Sequence, residues 1–147
     1  MRDYIFESIK KGIKLENGHF IEWGTELSEL IKLSNNHYQD DSYISLQFGE
    51  FKLFENIDLN ISTSKLSKDG TTLTSVGTGI RDKKEVKSLI DKLIHLLGKP
   101  DEFYDGDYGI FTHWENNNNR IEIITRDHHG GSWCEFHIKT KKAPNIL

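Results

Sequence analysis

"RDKKEVKSLIDKLIHLLGKP", residues 81–100, spells both ends of a helix. Val86, Leu89, Ile90, Leu93 and Leu97 recur at three- and four-residue intervals, which gathers them into one apolar stripe when the chain turns every 3.6 residues. Asp82 stands where an N-cap carboxylate can accept from the first unpaired amides, and Glu85 follows three residues later in the capping-box position. Gly98 suits the left-handed turn that ends a helix, and Pro100 stops it continuing. The spacing predicts a helix over 83–97 that buries Leu89 and Leu93.

Outside this stretch the pattern changes to alternation. In "SWCEFHIK" (132–139) Cys134, Phe136 and Ile138 point one way while Trp133, Glu135 and His137 point the other, as in a half-buried strand. "GIFTHWE" (109–115), "RIEIITR" (120–126), "YISLQFGEF" (43–51), "NIDLNIST" (56–63) and "TTLTSV" (71–76) read the same way, as do "GIKL" (12–15) and "HFIEW" (19–23). Short turn signals separate them: "ENGH", "KDGT", "DGDYG", "NNNN" and "HHGGS". Strands joined so closely pair antiparallel. A second, shorter helix is expected over 25–33, with Thr25 as its cap and Leu27, Leu30 and Ile31 on one side. The fold class is therefore α+β, an antiparallel sheet with two main helices on one face. Each helix is followed by a run of strands carrying aromatics, which suggests a degenerate helix-plus-meander duplication.

The bulk numbers bound the function. At 147 residues and 17.0 kDa, one α+β domain over 1–147 can bury roughly 70% of the surface its unfolded chain exposes. Eight Phe, five Tyr and three Trp spread along the chain argue for a packed core. No apolar run is long enough to span a bilayer, and "MRDYIFESIKK" (1–11) lacks the apolar centre of a signal peptide, so no membrane association is expected. A single cysteine builds no disulfide framework, which makes the cytoplasm the expected compartment. With 19 basic against 23 acidic residues, the net charge of −4 has the wrong sign for a protein that neutralises phosphates, and nucleic acid is not an expected partner.

The residues that could carry chemistry have plainer explanations. "TRDHHGGSWCEFHIKT" (125–140) concentrates histidines and acids, but adjacent side chains such as His128 and His129 diverge on an extended backbone, and no metal-binding spacing is present. A turn through Gly130 and Gly131 accounts for it, so neither a metal nor a cofactor is expected. Cys134 shares the parity of Phe136 and Ile138, which places it in the core rather than in a nucleophilic site. Gly77 and Gly79 precede a helix but lack the remaining residues of a phosphate loop; a strand end running into the Asp82 cap explains them. The chain is expected not to be an enzyme. The alternatives are a small hydrolase or nuclease built on His128, His129 and His113 with nearby carboxylates, and a small-ligand binding module.

"PDEFYDGDYGIFTHWE" (100–115) points to binding. Asp101, Glu102, Asp105 and Asp107 surround Phe103, Tyr104 and Tyr108 with no basic residue among them. Carboxylates steer a cationic partner, and aromatic rings supply contact area at small entropic cost. Trp133, on the polar side of its strand, needs a cover that a partner can provide. The expected partner-binding set is Asp101, Glu102, Tyr104, Asp105, Asp107, Tyr108 and Trp133.

A helix ending in "LLGKPDE" (96–102), a strand carrying Trp114 in "FTHWEN" (111–116) and two further strands resemble small bacterial immunity and inhibitor proteins, including the β-lactamase-inhibitor-like fold. The resemblance covers roughly residues 82–138, and the extra N-terminal strands depart from it. It implies a stoichiometric inhibitor that occludes the active site or substrate channel of a toxin, with a basic toxin domain as the partner.

Overall fold

The computed structural model describes residues 1–41, 44–54, 57–65, 72–107, 109–128 and 131–141. The chain runs α1 (Arg2–Ile9), β1 (Gly12–Lys14), β2 (Phe20–Glu22), α2 (Leu27–Leu33), β3 (Asn36–Gln39), β4 (Ile44–Phe54), β5 (Ile57–Lys65), β6 (Ser75–Gly79), α3 (Lys83–Leu97), β7 (Glu102–Gly106), β8 (Gly109–Glu115), β9 (Asn119–His128) and β10 (Gly131–Thr140). β1 and β2 form a small antiparallel ribbon. The other eight strands build one antiparallel sheet in the order β3-β4-β5-β6-β10-β9-β8-β7. This order is two four-stranded meanders, one entered from α2 and the other from α3, joined through their last strands. At that seam Val76 faces Ile138 and Thr78 faces Phe136. The α+β class holds, and the topology takes the form of a helix-plus-meander duplication.

α3 has the ends its sequence specifies. The Asp82 carboxylate accepts the Glu85 amide at 2.9 Å, and Gly98 closes the helix at φ +80° while its amide donates to the Ile94 carbonyl. Val86, Ile90, Leu93 and Leu97 are buried and Leu89 partly so. Their stripe lies on Ile121, Ile123, Phe136 and Ile138, the inward positions of β9 and β10. The indole of Trp114, fully buried beside them, donates to the Gly98 carbonyl at 2.8 Å and ties the end of α3 to β8. α2 is capped differently from the expectation. It starts after Glu26 without a side-chain cap, because the Thr25 hydroxyl donates instead to the Glu22 carbonyl at the end of β2. Leu30 is buried in the cluster that also holds Ile44, Leu46 and Phe48 of β4.

Three elements were not anticipated. α1 buries Ile5, Phe6 and Ile9, and its last carbonyl, on Ile9, accepts from the Trp23 indole at 2.8 Å and from Asn119 Nδ2 at 3.3 Å. β3 and β7 are the two edges of the sheet, and every residue of both is exposed. The asparagine run is a loop only through Asn118. Asn116 Oδ1 accepts the amides of Asn118 and Asn119, an Asx turn, and Asn119 opens β9 as a buried residue.

Candidate binding surface

Because the pleat alternates, the register that sends Thr112, Trp114, Ile121, Ile123, Phe136 and Ile138 toward the helices sends their neighbours to the opposite face. Among the described residues no helix lies on that face. Three cross-strand rows occupy it over β7–β10. The first is Glu115, Arg120 and Lys139. The second is Glu102, His113, Glu122 and His137, continued onto Gly77 of β6. The third is Tyr104, Phe111, Ile124 and Glu135.

The charges in these rows are unevenly matched. Glu115 receives Arg120 and Lys141, each at 3.2 Å, and the Lys139 ammonium contacts the Glu122 carboxylate. Burial raises the pKa of Glu115, but the bonds from Lys141 and Arg120 outweigh it and hold the carboxyl below the usual glutamate range. Glu102 and Glu135 meet only imidazoles among the described residues. His113 Nδ1 lies 3.9 Å from Glu102 Oε2, and His137 Nε2 lies 3.6 Å from Glu135 Oε2, both longer than a hydrogen bond. His113 is enclosed, its side chain only 5% exposed, with Phe111 edge-on at 5.6 Å. Its Nε2 lies 3.7 Å from Glu115 Oε1, and its Nδ1 has no hydrogen-bond partner.

The residues singled out from the sequence fall into three groups. Glu102 and Tyr104 lie on the helix-free face of β7, with Tyr104 49% exposed. Phe103, 53% exposed, and Asp105 alternate with them, and Asp107 stands in the following turn. Asp101 is engaged inside the molecule, since its Oδ2 accepts both the Glu115 amide and the Arg2 guanidinium. The amide bond, aided by Arg2 and opposed by desolvation, holds its carboxyl below the ordinary aspartate value. Tyr108, His129 and Gly130 lie outside the described residues, and Trp133 is placed only by its register opposite Arg126.

Of the histidines considered for hydrolytic chemistry, the two that lie among the described residues, His113 and His128, are not brought together along the backbone. His113 stands opposite Glu122, and His128 is six positions further along β9, about 20 Å away at the rise of a strand. Among the described residues no three His, Cys, Asp or Glu side chains are grouped to hold a metal ion. Cys134 is buried, as its parity indicated. Gly77 and Gly79 end β6 ahead of the Asp82 cap. No described helix is long and apolar enough to cross a membrane. Comparison with protein-family models, with curated proteins and with solved structures gives no match.

Proposed function

We propose that the chain is an immunity-type protein that neutralises a bacterial toxin in the cytoplasm by stoichiometric binding. The observation that carries this reading is the edge strand β7. All five of its residues are exposed, two of them aromatic, with Glu102, Asp105 and Asp107 beside the rings. Exposed aromatic surface rimmed by charge is typical of a surface that a partner covers. An edge strand also offers unpaired backbone groups to a second chain. The carboxylates fit a basic partner such as a toxin domain that acts on nucleic acid, whose cleft carries the opposite charge.

The test is co-expression with each candidate toxin domain that a neighbouring gene is found to encode. The reading expects restored growth and an equimolar complex by sedimentation. Replacing Asp105 and Asp107 with Lys should weaken that complex by about tenfold or more where the pairs are desolvated, and mainly slow association where they lie at the rim. Melting of the double variant should be unchanged. Failure to protect rejects the immunity reading; protection with unaltered affinity and association rate rejects the role of Asp105 and Asp107.

A further inference from the structure

The two edges of the sheet differ in how they treat a second copy of the chain. An edge strand presents backbone N–H and C=O groups on its outer side, and proteins keep such an edge from pairing with charge, proline, a bulge or a covering segment. β7 uses charge. When two copies of one strand pair antiparallel about a two-fold axis, the residue on the axis faces its own copy and the residues on either side face each other. With the axis on Glu102 or Asp105, that carboxylate meets itself. With the axis on Phe103, Asp101 meets Asp105; on Tyr104, Asp101 meets Asp107; on Gly106, Asp105 meets Asp107. Every symmetric register of β7 therefore opposes two carboxylates, which is destabilising.

β3 carries no such guard. Asn36, His37, Tyr38 and Gln39 include no carboxylate, lysine, arginine or proline. Their pairing with β4 runs without a bulge from Asn36 opposite Gln47 to Gln39 opposite Ile44, and all four are exposed, Tyr38 by 57%. With the axis on any of the four, no carboxylate faces another. We infer that two copies of the chain pair antiparallel through β3 about an axis at Tyr38, which joins two eight-stranded sheets into one. The Tyr38 rings meet across the axis, His37 stands opposite Gln39, and the Asn36 amide lies opposite the Asp40 carboxylate of the second copy. Four residues from each copy make a small contact, so this dimer is weak and forms with rising concentration. β7 stays open at both far ends of the joined sheet. The inference thus goes beyond the toxin-binding reading and does not rest on it.

Sedimentation velocity of the full chain, from about 1 µM to about 500 µM, is the test. The average mass should rise from 17.0 kDa toward twice that value. Tyr38→Lys and His37→Lys, each at an exposed position, should weaken association about tenfold or more by setting like charges close across the axis, while Tyr104→Glu on the opposite edge should leave it unchanged. Amide exchange should slow in β3 as concentration rises and stay constant in β7. A chain that remains at 17.0 kDa throughout overturns the inference. So does association that survives both β3 variants, or that Tyr104→Glu abolishes. Growth beyond the dimer also overturns it, since β3 laid on β7 of the next copy makes a contact that does not close. Each outcome is read without a toxin, so failure of the immunity reading leaves this result standing, and failure of the dimer leaves that reading untouched.

Discussion

Asp101 holds Arg2 at 2.7 Å through the same carboxylate oxygen that accepts the Glu115 amide at 2.8 Å, so the first turn of α1 is fastened to the start of β7 and the end of β8 at one atom. Arg2 adds a bond to the Glu115 carbonyl at 2.9 Å and stands 5.5 Å over the Phe6 ring. The Asp101 side chain is 42% exposed, so solvent screens the pair. Arg2→Ala should cost about 0.5–1 kcal/mol, and Asp101→Ala about 1–2 kcal/mol because the amide bond is lost as well. The folded pKa lies below the ordinary value of 3.8, so this contribution is complete above that value and is lost as pH falls through the lowered pKa. Urea melts of the wild type and Asp101→Ala should differ by a constant amount at neutral pH and converge in acid; a gap that persists in acid would assign the loss to packing.

How much of this was legible follows from how local each signal is. α3 was readable to the residue because its stripe, its Asp82 cap and its Gly98 stop all lie within a few turns. β8 was bounded just as well by the turns on either side. α1 escaped because its apolar set, Ile5, Phe6 and Ile9, spans barely two turns and its N-cap, Met1, makes no side-chain bond. β7 and β3 escaped because an edge strand whose residues are all exposed has no buried face to print an alternation. The surface shows the same divide. Parity put Glu135 and His137 on one side of their strand, but the meeting of Glu102, His113, Glu122 and His137 depends on the register of three pairings, which hydrophobic pattern alone does not fix.

Trp114→Phe tests the tie between α3 and β8. The substitution keeps most of the buried ring but leaves the Gly98 carbonyl without its indole donor. A loss of about 1–3 kcal/mol is expected, against about 3–5 kcal/mol for Trp114→Ala, which also empties the core. A loss near zero for Trp114→Phe in chemical denaturation, with Trp114→Ala still costly, would show that the hydrogen bond contributes little.

Asn119 joins three parts of the chain at its amide. Nδ2 donates to the Ile9 carbonyl at 3.3 Å and to the Lys139 carbonyl at 3.2 Å, and the residue is fully buried. Asn119→Ala leaves both carbonyls short of a donor and should cost about 2–3 kcal/mol. Asn119→Asp should be worse, because a carboxylate would face two carbonyl oxygens in a site without solvent. Thermal melts at neutral pH that rank Asp above Ala would contradict this geometry.

Cys134 faces the core between Thr125 of β9 and the helix layer, 3% exposed. Reaction with an aromatic disulfide reagent should therefore be limited by opening of the structure and should accelerate by orders of magnitude in denaturant. Stoichiometric labelling of the native protein within seconds would mean the strand is not seated as described.

The seam between the two meanders depends on Gly77. It stands opposite His137, and a Cβ built there would lie 2.5 Å from the His137 ring nitrogen and 2.6 Å from the Phe136 carbonyl oxygen, closer than real Cβ contacts come. The imidazole can turn aside, but the carbonyl belongs to the ladder that holds β6 to β10, so relief requires the strands to part. Gly77→Ala should cost about 1–3 kcal/mol, in the range of overpacked cores, and the loss should fall on the amide protection of β6 and β10 before that of the outer strands. Gly79 is the internal control. It lies two residues along the same strand, and a Cβ there meets nothing within 4 Å. Gly79→Ala should leave stability unchanged or raise it by a few tenths of a kcal/mol through the stiffer unfolded chain. Hydrogen exchange on the pair decides the matter: if Gly77→Ala proves as harmless as Gly79→Ala, the close approach at the seam is not what joins the two halves of the sheet.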